Sequence, residues 1–193
     1  MIGFFYSTLV TVAPMFAIII NLVLMEYFLK FSTLGYAQRE LFSCTILYTF
    51  IFSLLTASPF NAVLSRYISD IIYEERYQDI LPCYHIGMML NIVLSCLVGI
   101  PFCLWEHFVG GVSVAYVFAG FWCYISLVLV FYSMIYLSIC KDYQRIAQYY
   151  IVGMLVAFFL SLFLRYICHW GITQSMLAAM DAGFFLTAVL ENA

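Results

Sequence analysis

Charge is what this sequence has least of. Asp, Glu, Lys and Arg together make up 9% of its 193 residues, against roughly 25% in an ordinary soluble domain, and so few cannot clothe a surface that meets water. The formal net charge of −3 comes without basic runs, so the electrostatic footprint of a nucleic-acid binder is missing and nucleic acid is not an expected partner. Metal and redox chemistry find little to use. The seven cysteines (Cys44, Cys83, Cys96, Cys103, Cys123, Cys140 and Cys168) are scattered through apolar segments without a CxxC pair, and they read as small buried hydrophobes. His85, His107 and His169 lie far apart, and no HExxH accompanies them, which leaves no metal-ligand set. A nucleophile elbow, a Walker lysine loop and paired carboxylates on a soluble scaffold are missing too. The chain is therefore expected to be no enzyme and to need no cofactor. Its N-terminus lacks a positively charged n-region and carries an apolar stretch longer than a signal-peptide core, so that segment is expected to stay in the mature protein.

What is abundant is apolar. Hydrophobic residues make up 66% of the chain and mean hydropathy is +1.06. A helix needs about 20 apolar residues to cross the hydrocarbon, and stretches of that kind run over about 4–28, 41–64, 84–104, 113–140, 146–167 and 174–190. The expected fold is all-α: a polytopic transmembrane bundle of about six helices, with residues 1–193 forming one unit. After Arg66, the residues Asp70, Glu74, Glu75, Arg76 and Asp79 precede Pro82 in the longest charged stretch, which is expected to be the largest aqueous loop. The sixth span is the weakest because Asp181 sits near its centre, where insertion scales charge about 2.5–3.5 kcal/mol. Leu177, Phe184, Phe185, Leu186, Val189 and Leu190 return about 0.3–0.6 kcal/mol each, so this helix is expected to insert with a partner. Arg66, Arg76, Lys141 and Arg145 stand against Lys30, Arg39 and Arg165 across the two sides. That narrow excess tilts both termini toward the cytoplasm.

The second span and its exit, YTFIFSLLTASPFNAVLSRYISDIIYEERYQDILP from Tyr48 to Pro82, carry a more specific pattern. Tyr48, Ser53, Pro59, Ser65, Arg66, Tyr67, Asp70, Ile80, Leu81 and Pro82 follow the order of a serine-rich aromatic helix, a proline turn, an S/T-R-Y/F-x-x-D motif and a terminal ILP. In this the chain resembles the PelG family of Pel exopolysaccharide exporters. The first span, with Tyr6, Ser7 and Pro14, is similar to the family's first helix, but Ala13, Pro14 and Met15 stand where the family usually has Gly-Pro-Trp. The resemblance is specific over about 4–82 and rests on hydropathy beyond that. It implies one lobe of a two-lobe, MOP-type transporter that exports an exopolysaccharide across the bacterial inner membrane. The implied partners are membrane lipid, the polysaccharide, a C-terminal lobe missing from this chain, and other Pel-type synthesis and export components. The basic amphipathic segment that usually precedes the first span is missing as well, so the chain is expected to be part of a longer transporter. Two further readings stand beside this one: another MOP-type flippase for lipid-linked oligosaccharides, and a non-transporting membrane scaffold.

Several residues are candidates for function. Arg66 and Asp70, four apart, share a face on a continuing helix and suit either an ordinary interfacial ion pair or, through the family motif, a cytoplasmic latch. Asp181 is either a carboxylate turned toward a wet cavity, where it could contact a sugar or a proton, or a solvated residue near an interfacial helix end. Asn21 and Asn91 suit hydrogen bonding between helices, with cavity lining second. Pro14 is expected to bend the first helix, as a hinge or as a static kink. Pro59 and Pro101 are expected only to mark span ends, and Arg165 to anchor the fifth span by snorkelling. The 16 tyrosines and 19 phenylalanines could stack on sugar rings, but most are expected to face lipid or to pack.

Overall fold

The computed structural model describes residues 16–139 and 143–192. Pro14 and residues 4–15 of the expected first span lie outside the described residues, as do Cys140, Lys141 and Asp142. Among the described residues six helices follow one another: α1 (Phe16–Phe28), α2 (Tyr36–Tyr73), α3 (Ile80–Phe108), α4 (Val114–Ile139), α5 (Tyr143–Tyr166) and α6 (Ile172–Asn192). Short 3-10 turns at Phe31–Thr33 and Tyr77–Asp79 join the first three. No strand occurs among the described residues. Helices α2 to α6 are each long and apolar enough to cross a membrane, so the chain is an all-α membrane protein.

The side chains are arranged as a bilayer requires. Large apolar residues point outward, with Leu55, Val93 and Leu97 all more than half exposed, a surface that lipid covers and water would not. Many polar side chains turn inward instead: Ser53, Asn91, Ser95, Ser126, Ser133, Ser161, Ser175 and Thr187 are buried. Many of their hydroxyls donate to carbonyls three or four residues back, as Ser95 does to Asn91 and Thr187 does to Gly183. This disposes of the hydroxyl where no water is available.

Helix α4 is the hub, packed on α2, α3 and α6, while α5 packs chiefly on α6. Small residues allow both approaches. On α3, Gly87, Asn91, Ser95 and Gly99 recur every four residues, and a Cβ added at Gly99 would lie 2.7 Å from the Phe121 ring of α4. On α5 and α6, a Cβ at Gly183 would lie 2.7 Å from both the Ala157 Cβ and the Gly153 carbonyl oxygen. Lipid tails are as apolar as leucine, so membrane helices gain from close backbone approach rather than from burying grease. Helix α1 is tied to α5 by Asn21, whose Nδ2 donates to the Met154 carbonyl, and by Tyr166, whose hydroxyl donates to the Phe28 carbonyl.

Two expectations are corrected. The charged stretch after Arg66 is not a long loop, because α2 continues through it to Tyr73 for a total of 38 residues. The reason is periodicity: Leu64, Ile68 and Ile71 are buried on one face, while Arg66, Ser69 and Asp70 are solvated on the other. At 1.5 Å per residue the helix spans about 57 Å, so its end projects beyond a hydrocarbon core of about 30 Å. It stops at Glu75, which takes a left-handed φ of 58°. There the Glu75 and Arg76 amides donate to the Ile72 and Ile71 carbonyls, two bonds that offset the strain of a non-glycine residue in that conformation. Pro59 and Pro101 also end nothing, since both lie inside helices, α2 and α3. Membrane helices tolerate proline where neighbouring helices and hydroxyls absorb the lost bond.

Candidate functional site

Asp181 lies on α6 near the middle of its 21 residues, and Ser126 lies near the middle of the 26-residue α4. The buried Ser126 hydroxyl donates to Asp181 Oδ1 at 3.1 Å. The carboxylate is half-buried. Its exposed side belongs to one stripe of α6, in which Gln174, Ala178, Asp181, Ala182, Phe185 and Val189 recur at helical spacing and are all exposed or half-exposed. Beside the stripe, Trp122 of α4 meets Phe185 with ring centroids 6.1 Å apart. A carboxylate at this depth is costly against lipid. A hydroxyl partner offsets only part of that cost, so this face suits water, a polar ligand or another protein surface better than acyl chains.

A second feature opens between α2, α3 and α4, toward the start of α2 and the end of α3. It is a cleft of about 130 Å³ whose walls include Tyr48, Phe52, Phe102, Tyr116, Phe121 and Tyr124. Thr45, Thr49 and Glu106 supply its polar groups. The Tyr116 hydroxyl donates to Thr45 Oγ1 at 3.3 Å, and the Tyr124 and Thr56 hydroxyls are 2.8 Å apart. Aromatic faces with interspersed hydroxyls suit either a sugar ring or an acyl chain.

At the opposite end, the Tyr84 hydroxyl is shared between Ser133 Oγ at 2.8 Å and Asn192 Oδ1 at 2.6 Å, and Asn192 Nδ2 donates back to Ser133 Oγ at 2.9 Å. Tyr132 stacks on the Tyr84 ring at 5.2 Å and donates its hydroxyl to the Tyr84 carbonyl at 3.0 Å. This knot joins α3, α4 and α6. Replacing Tyr84 with Phe is expected to lower bundle stability by about 0.6–1.7 kcal/mol, the range for hydrogen bonds between membrane helices; unfolding in mixed micelles with increasing SDS reads it.

The other sequence candidates are dispersed. Arg66 and Asp70 are both exposed on the projecting end of α2. Among the described residues the ion pairs are those of Arg76 with Glu74 and Asp79, and none joins Arg66 to Asp70. Pairing two long, hydrated side chains gains little. Glu74, through a hydrogen bond from Arg76 Nε at 2.7 Å and through its charge, holds that guanidinium above its ordinary range. Asn91 is fully buried with neither amide atom hydrogen-bonded, and Asn21 has a partner for its nitrogen alone. Arg165 Nη1 donates to the Trp170 carbonyl at 2.9 Å, at the helix end where a snorkelling side chain belongs. The structure thus adds Ser126 to Asp181 but brings no other candidate to it. Ser126 had a weak signal in the sequence: it belongs with Ser133 to the few polar residues of an otherwise greasy span. Gathering Tyr84, Ser133 and Asn192 had none, since 49 to 108 positions separate Tyr84 from its partners.

Comparison with known proteins adds one finding. The family model of PelG, described as Putative exopolysaccharide Exporter (EPS-E), matches residues 1–193. No curated protein and no solved structure matches the chain.

Proposed function

We propose, on the premise that the chain belongs to the PelG exopolysaccharide exporter family, that it forms one lobe of a transporter carrying a Pel-type polysaccharide across the inner membrane. The family match over the whole chain carries this reading. The polymer passes between this lobe and a second one, which rock against each other around a shared path. Asp181, with Trp122 and Phe185 beside it, supplies this lobe's contribution to that path: a carboxylate to accept sugar hydroxyls and rings to lie against sugar faces. The exposed turn holding Arg66 and Asp70 is open to a latch with a neighbouring element. Surrounding lipid and the synthesis and export components of a Pel-type machine complete the assembly.

Deleting the gene for this chain is expected to abolish extracellular polymer while intracellular polymer persists, with export restored by the wild-type chain. Undiminished extracellular polymer in the deletion strain contradicts the reading and leaves the scaffold alternative.

A further inference from the structure

The cleft between α2, α3 and α4 has the length of one leaflet. Its wall on α2 runs from Leu41 to Phe52, a stretch of about 16 Å at 1.5 Å per residue, against half of a hydrocarbon core about 30 Å thick. Its mouth faces outward, since Leu41, Tyr48 and Phe102 line it and are exposed on a surface that lipid covers. Toward its inner end Phe52 meets Phe102 with ring centroids 5.3 Å apart, and Tyr124 reaches Thr56.

The walls have little left to offer a sugar. The Thr45 hydroxyl donates to the Leu41 carbonyl at 2.7 Å and accepts from Tyr116, and Thr49 donates to the Thr45 carbonyl at 2.6 Å. Thr56 donates to the Phe52 carbonyl at 2.8 Å, so Tyr124 is the donor in their hydroxyl pair. These hydroxyl hydrogens are spent within the protein, whereas a site built to hydrogen-bond a sugar keeps its polar groups free. An acyl chain asks only for apolar contact.

At the outer end of the cleft stands Glu106, half-buried on its wall in the last turn of α3. Trp105 beside it is exposed, as belt tryptophans at headgroup level are. Among the described residues no ion pair engages Glu106. A negative charge at a helix C-terminus adds to the negative end of the dipole, so the place favours a cation. Arg39 starts at the same end on α2 but shares the face of buried Phe42 and Ile46, away from the cleft.

We propose that this cleft binds one acyl chain of a bilayer phospholipid whose headgroup ends in a primary ammonium, with the ammonium on Glu106 and the chain running inward past Tyr48 and Phe102 to Phe52. The ammonium donates charge-assisted hydrogen bonds to the carboxylate. The lipid fills the gap between α2 and α3 as a fixed part of the bundle. The site rests on the membrane setting of the chain and not on export.

The test is photolabelling of the full chain. A diazirine in the acyl chain is carried on phosphatidylethanolamine or on phosphatidylglycerol, each as a minor component of phosphatidylcholine bilayers, and adducts are mapped by mass spectrometry. The ethanolamine probe is expected to label Thr49, Phe102 and Phe121 in the cleft about two- to fivefold more than the glycerol probe, the preference that a half-exposed ion pair supplies, while both label outward Val93 and Leu97 alike. Glu106→Gln is expected to bring the probes to parity in the cleft. A Cβ at Gly120, on the α4 wall, meets only Thr45 Cγ2 at 3.5 Å, so Gly120→Leu projects into the cleft without a clash at its root and is expected to remove the cleft adducts while those at Val93 and Leu97 stay. Cleft residues left unlabelled by both probes while Val93 and Leu97 are labelled overturn the proposal and return the cleft to a sugar ring. Equal labelling of the wild-type cleft by both probes overturns it too, since a chain held without regard to headgroup is ordinary surrounding lipid. The wild-type contrast needs no substitution, so a folding failure of either variant leaves the test intact. Labelling needs no polymer, so its failure removes this site alone.

Discussion

Valine in place of Gly183 is expected to cost the bundle about 1–3 kcal/mol, as overpacking of a close contact does. The new Cβ would sit 2.7 Å from the Gly153 carbonyl oxygen and from the Ala157 Cβ. Both are anchored to the α5 backbone, so relief requires α5 and α6 to part. Among the described residues those helices share the most extensive contact, and α6 also carries Asp181 and Glu191. Gly153 faces the same contact from the other side, where a Cβ would lie 2.8 Å from the Gly183 carbonyl oxygen. Substitutions at the two glycines are therefore expected to be less than additive, since the first already separates the helices. Gly35→Val is the control, because no atom lies within 4 Å of its added Cβ. SDS titration in mixed micelles should rank Gly183→Val well below wild type and Gly35→Val near it; equal stabilities contradict the packing described for α5 and α6.

Asp181→Leu should move stability and function in opposite directions. An aspartate at the centre of a span costs about 2.5–3.5 kcal/mol and a leucine returns about 0.3–0.6, so insertion of α6 is expected to become about 3–4 kcal/mol more favourable. The Ser126 hydroxyl loses its acceptor, but it can turn to a carbonyl one turn back, as Ser95 does, which keeps the penalty well below the gain. Export is nevertheless expected to fall to background, because the proposed path loses its carboxylate. Asp181→Asn keeps an acceptor for Ser126 and should fall between the two. Polymer measured outside the cells, together with glycosylation-tagged insertion of α6, checks both halves. A variant unchanged in both would make Asp181 a solvated interfacial residue.

The helical content and its membrane setting were legible in the sequence because both follow from composition and run length, which survive any tertiary arrangement. Helix ends were less legible where charge and periodicity disagreed. Reading the stretch after Arg66 as a loop weighed its charge over the spacing of Leu64, Ile68 and Ile71, and in the structure the spacing wins. The prolines misled for a related reason: in water Pro59 would tend to end a helix, whereas a bilayer offers α2 no better alternative to hydrogen-bonded backbone. Asp181 stood out because a lone carboxylate in a greasy run is costly wherever it goes. Glu191 did not, since it falls just past the expected end of its span at 190. Only the packing of α5 on α6 shows that its side chain turns inward.

The medium that the outer stripe of α6 meets decides between an export path and a lipid-facing helix. Asp181→Cys, Phe185→Cys and Val93→Cys are compared for reaction with a membrane-impermeant thiol reagent in intact membranes, with labelled peptides located by mass spectrometry. Reaction at 181 and 185 but not at 93, slowed when polymer is being exported, is the expected result. Equal silence at all three positions would place that stripe in lipid and contradict an export path along α6.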